Sequence, residues 1–326
     1  MRLLKGSALA AASVLAAISL SPAQPAAAAQ APGGRPQPPP VLAWAAKPTR
    51  LTPYVAPQKP HTKLADVLAK HRGQRAWREP VVNDKHMVAT WVQMAPGEAT
   101  KTMYMNDHRY SAIVWDGQVR VTIGGQEPFI ATKGFMIQVP FRTSFKMEVV
   151  GAQPGLFFEI MPQDSQILYA DGETPPTAPA GTTWYKARLQ GQDTYTRQQA
   201  PNQPQQSVPY FDFFKAVATP PGPRGAFTQD DRSFVNIIRG RGIPRQPDTI
   251  KGHFHLNYGE FWFIMEGQVS YLIEGMDYFV AQPGDVVYAA PGRFHRAQFA
   301  GEGMATRVAI NGYPYGSHLF DPNEGN

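Results

Sequence analysis

Short runs of alternating or wholly apolar residues recur along the chain, each closed off by Gly, Pro or Asp. In the first half they cover residues 86–94, 113–115, 119–123, 135–139, 145–150 and 156–161. In the second half they cover residues 234–239, 261–265, 269–273, 278–281, 286–289 and 305–310. Strands at this spacing, punctuated by turn residues, predict an all-β fold of sandwich or barrel type. Two short helices are expected. One spans residues 62–72, with Thr62 as N-cap, Leu64, Val67 and Leu68 on one face, and Gly73 as the stop; the other lies near residues 210–217.

The two halves repeat one another at an offset of 150 residues. Gly117, Gln118 and Val119 meet Gly267, Gln268 and Val269. Ile123, Gly125, Phe129, Ala131 and Gly134 meet Ile273, Gly275, Phe279, Ala281 and Gly284. A period this long makes the repeating unit a whole domain rather than one turn of a solenoid. The organisation expected is therefore a first barrel over residues 61–162, a connecting segment over 163–224 that is rich in Pro and Gln, and a second barrel over 225–326.

Before the first barrel the pattern changes. Arg2 and Lys5 precede an almost purely apolar run, residues 8–20, and small residues follow up to Ala27-Ala28-Ala29. This is the order of a secretory signal peptide over residues 1–29, cleaved after Ala29, with an apolar run too short to span a bilayer comfortably. A periplasmic or secreted protein with no membrane attachment after cleavage is expected. Residues 30–60, including Pro38-Pro39-Pro40, favour extended conformations and cannot bury a core of their own; they could tether the fold or wrap over it.

Composition narrows the chemistry. The chain has no cysteine among its 326 residues, which excludes disulfides, thiolate metal sites, Fe–S clusters and a cysteine nucleophile. The net charge of +6 includes two charges within the first five residues. No basic run interleaved with aromatics follows, so nucleic acid is not an expected partner.

The second half holds one concentrated set of metal-ligating side chains. His253 and His255 flank Phe254, so on a strand both project to one side, about 6–7 Å apart. Glu260 follows after four residues and can join them from the next strand; His295, 35 positions later, can close the site across a barrel. Three imidazoles and one carboxylate suit Fe, Mn, Ni, Cu, Co or Zn rather than Ca or Mg, and on a six-coordinate ion leave two positions open. Projecting back by 150 residues replaces His253 by Met103, His255 by Met105, Glu260 by Tyr110, and His295 by Phe145 or, with a one-residue shift, Ser144. The first copy is thus expected to be scaffold, with its methionines as barrel packing. His318 lies outside this set, and its replacement is expected to leave metal binding intact.

These residues resemble the cupin superfamily, whose motifs read G-x5-H-x-H-x3,4-E-x6-G and G-x5-P-x-G-x2-H-x3-N. The first motif is met by His253, His255, Glu260 and Gly267, although Pro247 stands where its opening glycine belongs. The second is met by Gly284, Gly292 and His295; Pro291 is shifted by one, and Phe299 replaces the final Asn. The resemblance covers residues 230–312 and, through the repeat, extends weakly to 86–161. It implies two tandem jelly-roll β-barrels, the first degenerate, and one divalent transition metal held by His253, His255, Glu260 and His295.

Cupins with this ligand set include dioxygenases, oxalate oxidases and decarboxylases, isomerases, lyases and plain binding proteins, so the resemblance leaves the reaction open. If Glu260 lies on a strand, Trp262 and Ile264 share its face and line an apolar part of the pocket. Arg293 could approach an anionic group, although a surface arginine is the plainer reading. The leading expectation is an exported metal-dependent oxidoreductase of the dioxygenase type, acting on a small organic substrate of aromatic or enol character. A non-catalytic small-molecule or sugar-binding bicupin is the alternative, as is a metal-dependent decarboxylase, lyase or isomerase. Assembly into a homo-oligomer is left open.

Overall fold

A computed structural model describes residues 41–195, 208–312 and 316–324. The expected signal peptide, residues 1–29, lies outside the described residues, as do residues 30–40 of the Pro-rich segment. Residues 44–324 form one compact unit. It is built almost entirely of strands, arranged in four antiparallel sheets that pair into two barrels. Among the described residues no helix is long and apolar enough to cross a membrane.

In the first barrel the six-stranded sheet runs, edge to edge, Tyr210–Asp212, Phe135–Val139, Tyr110–Asp116, Gly155–Pro162, Met87–Met94 and Trp77–Asn83. Its five-stranded partner runs Ile167–Tyr169, Met103–Met105, Phe145–Val149, Val119–Ile123 and Phe129–Ala131. The second barrel repeats the plan. Its six strands are His61–Thr62, Val286–Ala289, Glu260–Glu266, Met304–Asn311, Phe234–Arg241 and Gly225–Gln229. Its five are Phe279–Ala281, Gln268–Ile273, His295–Ala300, His253–Phe254 and Leu319–Phe320.

The central strands of the six-stranded sheets, such as Tyr110–Asp116, Gly155–Pro162 and Glu260–Glu266, are buried on both faces, which explains why they read as unbroken apolar runs. Along Glu260–Glu266, Trp262 and Ile264 point into the second barrel, while Phe261, Phe263 and Met265 point at the first. Phe263 meets Trp91 at 5.6 Å, Trp115 at 5.2 Å and Phe158 at 5.0 Å between ring centroids. These rings are the centre of the core that joins the barrels. The hairpin after this strand turns at Gly267, whose φ of 67° suits glycine, and a Cβ there would collide with the Met304 carbonyl.

Each barrel completes the other. His61–Thr62 pairs with Val286 and Val287 of the second barrel, and the helix Leu64–Lys70 follows. Tyr210–Asp212 pairs with residues 135–137 of the first barrel, followed by the helix Phe213–Val217. Leu64 packs onto Gly284 and Phe214 onto Gly134, so both the covering residues and the covered glycines keep the 150-residue spacing. Residues 61–64, drawn from the sequence into the first barrel, thus lie against the second, while Lys70 at the end of the helix pairs with Glu79 of the first. Thr62 is a strand residue rather than an N-cap: Lys63 holds that position, and the Asp285 carboxylate accepts the Leu64 N–H at 3.1 Å. The second helix is shorter than expected because its first turn is the strand; Asp212 caps it through the Lys215 N–H.

The Pro-rich segment wraps over the second barrel from Lys47 onward. Lys47 pairs with Glu274 at 2.7 Å, the Thr52 carbonyl accepts from Arg293, and the Tyr54 hydroxyl donates to the Tyr288 carbonyl. The connecting segment likewise lies along the first barrel, with Arg142 donating to the Gln190 and Gly191 carbonyls and Arg109 paired with Asp193 at 2.8 Å.

Candidate metal centre

Three strands deliver the four candidate ligands to one end of the second barrel. His253 stands directly opposite His295 in an antiparallel pair. His255 follows one residue beyond that strand, and Glu260 opens the next, opposite Ala289. Between them Gly259 lies against the Tyr288 ring, which a Cβ there would displace. Tyr258 stacks on His255 with centroids 4.2 Å apart. The side chains of His255, Glu260 and His295 are buried; that of His253, at 21% exposure, forms the accessible side of the cluster.

Their donor atoms converge. Glu260 Oε2 lies 3.2 Å from His255 Nε2, 3.3 Å from His295 Nε2 and 3.7 Å from His253 Nε2. The Nε2 atoms of His253 and His295 are 3.1 Å apart, and one ligand atom from each of the four residues lies within 4.8 Å of all the others. Two donors of a single ion with bonds of ~2.1 Å stand about 3.0–3.4 Å apart at angles from square to tetrahedral. The separations of 3.1, 3.2 and 3.3 Å meet that spacing, and the 3.7 Å between Glu260 and His253 lies just beyond it. The orientation of the cluster also fits: His255 Nδ1 pairs with the Ser317 carbonyl and His295 Nδ1 with the Arg293 carbonyl, each at 3.0 Å. A carbonyl only accepts, so both Nδ1 atoms carry a proton, which leaves Nε2, the nitrogen turned toward Glu260, as the one that would ligate an ion. The four residues together could hold a metal ion.

The electrostatics favour that form. Burial acts to raise the Glu260 pKa, but the hydrogen bonds of the three imidazoles outweigh it and hold the carboxyl well below its usual range. Burial pushes His253 down, against the opposing pull of Glu260. An ionised carboxylate is the ligand state a divalent ion requires.

Of the expected pocket residues, Trp262 and Ile264 do share the Glu260 face and line the barrel interior, with the Trp262 ring 5.3 Å from that of His295. Arg293 is not a surface residue. It is buried, donates to the Glu274 and Thr52 carbonyls at 2.6 Å each, and lies over the Tyr54 ring, so its guanidinium fastens the N-terminal segment.

Arg307 escaped the sequence reading, and His318 was placed apart from the cluster that it in fact adjoins. Arg307 points into the second barrel, donates to the Ala297 carbonyl at 3.0 Å and lies over Phe299; burial lowers its pKa, and its Nε has no partner. The alternating positions of its strand, with Ala305 and Ala309 facing inward, were the signal for it. His318 is no bystander: its ring lies 4.3 Å from that of His253 and 4.9 Å from that of His255. Burial, then the neighbouring His253, pushes its pKa down to about 4.

The first barrel has the same frame with apolar contents. Met103 stands opposite Phe145 just as His253 stands opposite His295, which selects Phe145 over Ser144 as the counterpart. Met103, Met105, Tyr110 and Phe145 all belong to that barrel's buried core, and the Tyr110 and Phe145 rings meet at 4.7 Å.

No family model matches the sequence, and no curated protein matches it. Solved structures do match its fold. Salicylate 1,2-dioxygenase from Pseudaminobacter salicylatoxidans is similar with a TM-score of 0.54 at 12% identity, over 78% of this chain and 83% of its own. A mutant of that enzyme reaches 0.56 at 11% identity, over 80% and 87%. A cupin 2 conserved barrel domain protein from Leptotrichia buccalis gives 0.51 at 9% identity, over 77% of this chain and 95% of its own. At such identities the likeness is one of architecture. The fold of this chain is therefore that of a two-barrel cupin.

Proposed function

We propose that the protein is an exported, metal-dependent oxidoreductase of the dioxygenase type, acting on a small aromatic or enol-type substrate. The observation that carries this reading is the set of four convergent donors, His253, His255, Glu260 and His295, in the second barrel. They would hold one divalent transition metal, of which Fe, Mn, Ni, Cu, Co and Zn all accept this donor set. When bound, such an ion supplies Lewis acidity and a template for substrate and dioxygen.

The chain's own groups then have separate tasks. The Ser317 and Arg293 carbonyls fix two imidazoles in the ligating tautomer. Trp262 and Ile264 keep the interior beside Glu260 apolar and exclude water from it. The aromatic preference is supported by those side chains and by the fold shared with an enzyme that acts on salicylate. Export is supported by the order of charged, apolar and small residues over positions 1–29.

Oxygen consumption by the metal-loaded protein with aromatic hydroxy acids and enols tests the proposal. Uptake that depends on His295 is expected. Tight binding of the same compounds without uptake would instead identify a binding protein.

A further inference from the structure

Both barrels carry the same short edge strand. In the first, Ile167 lies opposite Met105 and Tyr169 opposite Met103. In the second, Phe320 lies opposite His253 and Leu319 opposite Phe254. One more step along that register brings His318 to His255, the place that Ile167 holds beside Met105. Ile167 packs against the apolar interior of its barrel. The change from apolar to polar is therefore wider than the clustered ligands. Met103, Met105, Tyr110 and Phe145 answer to His253, His255, Glu260 and His295, and Ile167 answers to His318. An edge strand needs no imidazole at that point.

The position of His318 is well defined. Its ring stands nearly perpendicular to those of His253 and His255, at 70° and 69°. It is not one of the four clustered donors, and its outer side is exposed. That combination puts it on the rim of the cluster, on the side where His253 is accessible. The segment that carries it is fastened on both flanks. Ser317 accepts from His255, Leu319–Phe320 pairs with the ligand strand, Asp321 pairs with Lys251 at 3.0 Å, and Glu324 accepts the Gly252 N–H at 2.6 Å.

We infer that His318 is a substrate-contacting residue: from the rim, its imidazole hydrogen-bonds the small anionic or oxygen-donor molecule that enters the open coordination positions. This rests on the four-residue cluster being a metal site. An imidazole offers a hydrogen-bond donor, and a hydrogen bond to a charged group is worth roughly tenfold or more in affinity.

Azide binding to the full chain loaded with Co(II), followed by the cobalt absorption spectrum, tests the inference. Co(II) content and melting temperature are measured on the same samples. His318→Ala is expected to weaken azide binding about tenfold or more, with metal content and melting temperature unchanged, and His318→Gln to restore part of the affinity. Wild-type azide affinity in His318→Ala would overturn the inference. Loss of Co(II) from that variant would also overturn it, because His318 would then be a ligand. If the unaltered chain takes up no Co(II), it is the metal site itself that fails, and the inference falls with it.

Discussion

His253 stands directly opposite His295 across an antiparallel pair, with their Nε2 atoms 3.1 Å apart. One ligand comes from the strand that opens the site and the other from a strand 42 residues away, so the centre exists only when the barrel is closed. The same pairing in the first barrel joins Met103 to Phe145, where two apolar side chains fill the space.

Removal of one side of this pair gives the first prediction. In His295→Ala, the donors of His253, His255 and Glu260 remain, so metal affinity falls without vanishing. Substrate placement needs the ion's open positions in a fixed arrangement, and misplacement costs about 100-fold in rate. Turnover is thus expected to drop further than metal content, as metal analysis and steady-state kinetics on one preparation will show. Equal losses in both would contradict this.

Acid is expected to destabilise the metal-free protein. Burial lowers the pKa of His253, and that of His318 falls from the ordinary 6.5 to about 4. Below about pH 6.5 the unfolded chain binds protons that the folded chain refuses, so stability rises with pH in this window and falls on acidification from 6.5 towards 4. Glu260, held well below 4.5 by its imidazole partners, adds to the loss in the same direction below that value. Melting temperatures of the apo-protein between pH 7.5 and 4 check the sign. A flat profile, or a rise on acidification, would be inconsistent with it.

The joint between the barrels has its own test. Phe263 is fully buried among Trp91, Trp115 and Phe158. Phe263→Ala is expected to cost about 3–5 kcal/mol through lost burial and the cavity left behind. Denaturant unfolding measures it, and a loss below about 1 kcal/mol would mean that these rings do not hold the barrels together.

Processing is checked more simply. Protein recovered from outside the cytoplasm is expected to begin at or near Gln30, after the Ala27-Ala28-Ala29 run. N-terminal sequencing that finds Met1 on a membrane-bound product would contradict export by cleavage.

How much of this was legible in the sequence follows from the range of the interactions. Apolar runs located the central strands, because burial on one or both faces is written locally in residues such as those of Glu260–Glu266. The spacing of His253, His255, Glu260 and His295 located the candidate ligands, and the 150-residue offset identified Met103, Met105 and Tyr110 as their apolar counterparts. The exchange of leading segments was not legible. His61 pairs with Val287 across more than 200 residues, and nothing in either segment records the partner. His318 belongs to no motif; only the register of Leu319–Phe320 beside His253–Phe254 brings it to the cluster. Arg293 was misjudged because its partner, the Thr52 carbonyl, lies in a Pro-rich segment with no pattern of its own.

Metal stoichiometry of the chain, beside that of a His255→Ala, Glu260→Ala double variant, tests the central claim most directly. Each of these two residues has a first-barrel counterpart, Met105 or Tyr110, that is buried in an apolar core. The account predicts one equivalent of a divalent transition metal in the unaltered protein and almost none in the double variant, with folding retained. An unaltered chain that takes up no metal, or a double variant that keeps its full equivalent, would contradict it.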